Sequence, residues 1–183
     1  MGRSLRQGRL PGVLVWPGWQ RLLHWGLAVS VVAALITHES GKIHEWFGYS
    51  ALGLACLRIA LGFTGPEVAR FATFTHGARH TLNYANAVLN RQETRHLNHN
   101  PLGAWMVIAL LGFTVLGGLM GWLYITDRFW GIAWVGNLHA LLTWPLVLLI
   151  TVHFLGVIHA GLHHRENLVA AMIHGRKRPL EKK

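Results

Sequence analysis

Charged residues are scarce in this chain. Only 13% of its 183 residues are Asp, Glu, Lys or Arg, whereas 52% are hydrophobic. A soluble domain carries about 25% charged residues. The composition therefore argues against a soluble domain and favours a membrane protein.

Cysteine is nearly absent, because Cys56 is the only one. A single cysteine excludes an internal disulfide, a CxxC zinc knuckle and the C-x-x-C-H attachment of a covalent haem. The N-terminal stretch MGRSLRQGRLPGVLVWPGWQR also lacks a short apolar core that ends in a small-residue cleavage site. We therefore expect this stretch to be retained and any haem in the chain to be bound without a covalent link.

Long apolar segments are abundant, in contrast. Four of them cover about residues 22–38, 43–63, 102–125 and 132–162, and a bilayer span needs roughly 17–25 residues, or more when tilted. Lipid offers the backbone no hydrogen-bond partners, so we expect each segment to be a helix. The expected fold is an all-α membrane protein, a four-helix bundle that forms a single domain over residues 1–183.

The basic residues predict the orientation of these spans. Only Lys42 and Arg128 belong to one side. The other side contains the N-terminus, the loop 64–101 and the tail 163–183, with Arg3, Arg6, Arg9, Arg21, Arg70, Arg79, Arg91, Arg95, Arg165, Arg176, Lys177, Arg178, Lys182 and Lys183. By the positive-inside rule, both termini and the long loop should be cytoplasmic, in a multi-pass protein of the bacterial inner membrane. The basic residues form no continuous stripe, so no nucleic-acid partner is expected. Within the loop, GARHTLNYANAVLN is amphipathic and predicts a helix along the membrane surface.

Histidines inside the spans are the main functional signal among the thirteen in the chain. Ionisable residues within a membrane are costly and usually functional. In HALLTWPLVLLITVH, His139 and His153 are fourteen residues apart, which is about 21 Å and nearly four whole helical turns. Both rings should therefore project from about the same face, near opposite sides of the hydrocarbon layer, where they could serve two stacked cofactors.

Two further histidines lie at matching depths. His24 in RLLHW opens span one on the cytoplasmic side, near the depth of His153, and His44 in KIHEWFGYS opens span two on the outer side, near that of His139. This predicts two haem sites with paired axial histidines, His24/His153 and His44/His139. The alternative is that each histidine is buried singly and hydrogen-bonded to a neighbouring helix. His38 could replace His44, although its place beside Glu39 favours an exposed role.

Two arginines are candidates for contacts with haem propionates. Arg58 lies fourteen residues after His44, on the same face but at the cytoplasmic end, where it could instead reach a lipid phosphate. Arg21, one turn before His24, is a weaker candidate.

With these residues placed, the chain resembles the prokaryotic cytochrome b561 family, which includes the b-type cytochrome subunits of nickel–iron hydrogenases. The stretches that carry the resemblance are RLLHW, HEWFGYSALGLACLR, HNPLGAWMVIALL, the His139–His153 pair and the tail HRENLVAAMIHGRKR. The resemblance implies that His24, His44, His139 and His153 bind two non-covalent b haems. This chain departs from the family pattern in VWPGWQR, where an acidic residue commonly precedes the first motif, and in a short outer loop between spans three and four.

The same resemblance implies electron transfer between the membrane quinone pool and a redox partner on the outer, periplasmic side. That partner would be a hydrogenase, a dehydrogenase or a cytochrome c, within a respiratory complex. Quinone is expected near the cytoplasmic haem, where His99 and Asn100 are candidate donors; alternatively, Asn100 only caps the helix that begins at Pro101. A stand-alone quinone oxidoreductase that uses a small substrate such as superoxide, and a haem-free anchor, are the competing hypotheses. The few outer basic residues argue mildly against the former.

Overall fold

The computed structural model describes residues 12–179; the predictions on Arg3, Arg6, Arg9, Lys182 and Lys183 lie outside the described residues. In chain order its elements are β1 (Val13–Leu14), α1 (Gly18–Ile36), α2 (Lys42–Thr64), α3 (Ala78–Leu89), α4 (Pro101–Tyr124), α5 (Ala133–His163), α6 (Leu168–His174) and β2 (Arg176–Lys177). Within this range, α1, α2, α4 and α5 are long and apolar enough to cross a membrane. The architecture fits an all-helical membrane bundle.

Helix α1 begins earlier and ends earlier than the apolar segment 22–38 suggested. It starts at Gly18, directly after Pro17. The residues of its first turn are too polar to count as part of an apolar segment, but they are compatible with a helix. At its other end the Thr37 hydroxyl and backbone N–H both bond to the carbonyl oxygen of Ala33. His38 therefore lies beyond the helix, in the turn to α2 that passes through Gly41 at a φ of 50°.

The four long helices pack in the order α1–α2–α4–α5. Small residues allow the helices to approach closely. Gly118 on α4, for example, faces Leu52 on α2, and a Cβ added to Gly118 would stand only 3.0 Å from the Cβ of Leu52. Helix α5 packs closely on α4 but has no comparable approach to α1 or α2. The bundle is thus open between α5 and the α1–α2 pair.

The two ends of the bundle differ in how much chain covers them. Residues 12–17, 65–100 and 164–179 gather at one end, here named the capped end, whereas the opposite, turn end has only the short connections 37–41 and 125–132. In the cap, β1 pairs antiparallel with β2, and Arg95 forms a 2.8 Å salt bridge with Glu166 of the tail. The sequence does not predict this two-stranded ribbon, because two-residue strands are too short to show alternation of apolar and polar residues. The segment GARHTLNYANAVLN forms α3, with Leu82 and Leu89 exposed.

Candidate functional site

The four histidines of the spans stand in two facing pairs. His24 on α1 faces His153 on α5, with ring centres 6.5 Å apart and ring planes at 86°; we name these the capped-end pair. His44 on α2 faces His139 on α5, with ring centres 5.9 Å apart and planes at 76°; we name these the turn-end pair. Each pair bridges the open side of the bundle, between α5 and the helices with which it does not pack.

The spacing within each pair suits one metal ion between two imidazoles. A metal–imidazole nitrogen bond is about 2 Å, and a ring nitrogen lies roughly 1.2 Å from the ring centre, so opposed ligands have ring centres about 6 Å apart. Among residues 12–179 no group of three or more His, Cys, Asp or Glu residues is placed to hold a bare metal ion. A site with two histidines therefore requires a group that brings its other ligands with it, as the porphyrin of haem does.

Backbone carbonyl groups orient both rings of the turn-end pair. Nδ1 of His44 lies 2.9 Å from the carbonyl oxygen of Ala34, and Nδ1 of His139 lies 2.9 Å from that of Gly117. A carbonyl oxygen can only accept, so each Nδ1 carries the hydrogen and donates it. Nε2 of each ring then keeps its lone pair for a metal, the arrangement usual in metal-binding histidines.

A mainly apolar pocket surrounds the turn-end pair and opens to the surface of the bundle. Two of its glycines, Gly48 and Gly117, face open space, because a Cβ added to either would meet nothing within 4 Å. The other residues that line it are Val31, Leu35, Ala51, Thr114, Gly118, Leu142, Thr143 and Leu146. A flat macrocycle could thus lie against bare backbone between the two rings.

Gly121 on α4 supports the His139 ring from the side. A Cβ at Gly121 would stand 2.9 Å from Cε1 of His139, closer than real Cβ contacts allow. We predict that Gly121→Ala displaces the ring, so that a haem held between His44 and His139 would bind less fully and at a shifted midpoint potential, whereas a haem held between His24 and His153 would be unchanged. Redox titration followed by absorbance measures both effects.

Gly112→Ala is the matched control for this substitution. Gly112 lies on the same helix, and a Cβ there meets nothing within 4 Å. Both substitutions should favour the helix by about 1 kcal/mol, so only the contact with His139 separates them. Equal potentials in the two variants would rule out the supporting role of Gly121.

His38 does not take part in either pair. Its side chain is 69% exposed, and its Nε2 lies 3.7 Å from a carboxylate oxygen of Glu39. The structure thus brings His44, and not His38, to His139.

Arg58 and Arg21 both turn towards the cap. Arg58 is buried, donates from Nη1 to the carbonyl oxygen of Ala69 at 3.2 Å, and holds its guanidinium over the ring of Phe71. Arg21 donates from Nη1 to the carbonyl oxygen of Ile173. Its Nε is buried with no partner among the described residues, so an N–H remains for an anionic group such as a propionate.

His99 and Asn100 lie at the start of α4, inside the cap. The ring of His99 stands 4.9 Å from that of Trp16 and 4.6 Å from that of Phe74. This burial, aided by the charges of Arg58 and Lys177, lowers the pKa of His99 to about 3, so the ring is neutral near pH 7. Oδ1 of Asn100 accepts a 2.7 Å hydrogen bond from the N–H of Gly103. Asn100 therefore caps α4, and its amide nitrogen is still able to donate.

Three groups at these sites could not be predicted from the sequence. The carbonyl oxygens of Ala34 and Gly117 leave no signal in residue type. Lys177, whose Nζ lies 5.8 Å from the centre of the Trp16 ring, seemed to be one more basic tail residue.

Comparison with protein families found one match. A family model described as prokaryotic cytochrome b561 matches residues 15–175, which include all four paired histidines. Comparisons with curated proteins and with solved structures found no match.

Proposed function

Because this chain belongs to the prokaryotic cytochrome b561 family, and is thus a membrane b-type cytochrome of electron transfer, we propose that it moves electrons through two non-covalent b haems. The observation that carries the proposal is the presence of two histidine pairs with ring centres 6.5 and 5.9 Å apart. Haem, when bound, supplies reversible one-electron chemistry at iron.

The paired histidines would hold the haems. His24 with His153 would bind one haem and His44 with His139 the other, and a haem bound by two histidines would supply electron transfer. The Ala34 and Gly117 carbonyl oxygens fix the rings of the turn-end pair, and the pocket around that pair is mainly apolar. Such sites favour electron exchange at the haem edge.

The two sites lie in series along α5. Fourteen residues separate His139 from His153, or about 21 Å along the helix axis, so the two haems would lie in opposite leaflets. Arg21 and Arg58, at the capped end, are suited to bind the propionates of the capped-end haem. Electrons could therefore cross the bilayer through this one domain.

Charge supports a cytoplasmic position for the capped end. Most described basic residues lie in the cap and its connections, whereas Lys42 and Arg128 are near the turn end. In this orientation both termini face the cytoplasm of a bacterium, the protein spans its inner membrane, and the turn-end haem faces the periplasm. A periplasmic or membrane-bound redox protein, such as a hydrogenase, a dehydrogenase or a cytochrome c, would exchange electrons there as part of a respiratory complex.

Quinone is the proposed second substrate, at the capped end. The neutral ring of His99 can donate to a quinone oxygen, and the amide nitrogen of Asn100 can donate beside it. Arg58 and Lys177 contribute positive charge, as their effect on the pKa of His99 indicates. Donors and positive charge at this place would stabilise the negative charge that develops on a quinone oxygen during reduction.

The rate at which the His99→Phe variant oxidises a quinol tests this site. The variant keeps an aromatic ring between Trp16 and Phe74 but cannot hydrogen-bond. We expect haem reduction by a quinol to slow about tenfold, which corresponds to about 1.4 kcal/mol of lost stabilisation, with unchanged haem spectra in purified protein in lipid nanodiscs.

The exposed His80 provides the control, because His80→Phe should leave the rate unaltered. An unaltered rate in His99→Phe would move the quinone site elsewhere. Rapid quinone reduction by superoxide without any protein partner would instead favour a stand-alone oxidoreductase.

A further inference from the structure

A carboxylate and two imidazoles meet at the capped end, apart from the histidine pairs. Glu93 lies in the connection between α3 and α4, and its side chain is only 2% exposed. Its Oε1 lies 3.1 Å from Nε2 of His159 and 3.6 Å from Nε2 of His163, both at the end of α5. The side chain of His159 is 48% exposed and that of His163 is 28% exposed, so this cluster connects the protein surface with a buried carboxylate.

A purely structural ion pair does not explain the environment of the second carboxylate oxygen of Glu93. Oε2 is buried and has no hydrogen-bond partner among the described residues, although buried polar atoms are nearly always paired. Burial raises the pKa of Glu93, but its backbone N–H and the two histidines together hold that pKa below its usual value. The carboxylate is thus ionised, with one oxygen bound to imidazole and the other open to accept a proton.

Tyr84 connects this carboxylate with the proposed quinone site. It is buried on α3, and its pKa is raised by burial and by the charge of Glu93, while the side chain of Asn100 acts in the opposite direction. Asn100 in turn adjoins His99. Tyr84 is therefore a titratable group that lies between the Glu93 cluster and Asn100, the neighbour of His99 in the chain.

We propose that Glu93, His159 and His163 form a proton-entry site for quinone reduction at His99. This inference rests on the proposed function. Reduction of a quinone to a hydroquinone takes two electrons, which the haems would deliver from the redox partner. It also takes two protons, one for each carbonyl oxygen, and these come from water. Chains of Glu and His residues in membrane proteins commonly serve such proton transfer.

Glu93→Gln tests the proposal, because glutamine keeps the shape of the side chain and a hydrogen bond to His159 but cannot carry the proton. With the holoprotein in nanodiscs, an artificial donor to the haems and a soluble quinone, we expect quinone turnover to fall at least about tenfold, a modest loss for a positioned proton-transfer group. Haem content, both midpoint potentials and the rate of haem reduction by the artificial donor should stay unchanged. The solvent isotope effect on turnover should rise, and Glu93→Asp or added formate should restore part of the rate.

Glu67→Gln is the matched control, since it removes one negative charge from an exposed side chain at the same end of the bundle. Its turnover should equal that of the unaltered protein. Unchanged turnover and isotope effect in Glu93→Gln would overturn the proposal while the proposed function stands. So would slow turnover that neither aspartate nor formate restores, because that result indicates a structural role. If the unaltered protein binds haem but never reduces quinone, the proposed quinone reaction fails and the proton-entry site fails with it.

Discussion

His153→Ala is expected to remove the haem of the capped-end pair and to leave the haem of the turn-end pair in place. The substitution takes away one of two axial ligands and leaves His24 alone against a cavity that water can enter. His139→Ala should have the mirror effect, loss of the turn-end haem only. The haem-to-protein ratio of each purified variant should thus fall from about two to about one, and redox titration should lose one of two potentials.

The exposed His38 provides a control within the same part of the chain. His38→Ala should keep both haems, whereas His44→Ala should lose the turn-end haem, because only His44 stands beside His139. The assignment would be wrong if His139→Ala or His153→Ala left the stoichiometry and both potentials unchanged.

Haem removal is expected to destabilise α5 more than the other long helices. Helix α5 packs closely on α4 but not on α1 or α2, so the bound haems would supply its contacts with the other half of the bundle. A ligand at 100 times its dissociation constant stabilises the folded state by about 2.7 kcal/mol. For a chain of this size, 1 kcal/mol shifts Tm by about 2–4 °C, so loss of two haems should lower Tm by ~10 °C or more.

Hydrogen–deuterium exchange locates this effect. Backbone amides of α5 from His139 to His153 should exchange much faster in the haem-free protein. Backbone amides of α1 and α2, two helices that pack directly on each other, should change little. Equal loss of protection in all four helices, or none in α5, would show that haem does not bridge the open side of the bundle.

Much of the fold could be predicted because the physics of lipid leaves few choices. An apolar segment of sufficient length in a bilayer must be a helix, and basic connections indicate their side. Helix geometry predicted that His139 and His153 share a face of α5, because fourteen residues are nearly a whole number of turns, and matching depths predicted their pairing with His44 and His24. The start of α1 was less predictable, since the polar residues of its first turn resemble a connecting segment.

Contacts made by the cap could not be predicted. Glu93 meets His159 across 66 residues of chain, and no local pattern indicates so distant a partner. The sequence predicted a lipid phosphate or a propionate as the partner of Arg58, and it gave no sign that Arg58 also bonds to the Ala69 carbonyl oxygen and lies over the ring of Phe71. Packing among irregular segments decides such contacts, and backbone acceptors such as Gly117 have no signature in residue type.

Electron paramagnetic resonance of the oxidised, purified protein tests the central claim most directly. Two imidazoles on one iron give a low-spin centre, and ring planes at 86° and 76° predict a strongly anisotropic signal from each. We expect two such signals that together integrate to about two irons per chain. A spectrum dominated by high-spin iron, or low-spin signals that amount to only one iron per chain in fully loaded protein, would contradict the claim that both pairs clamp a haem.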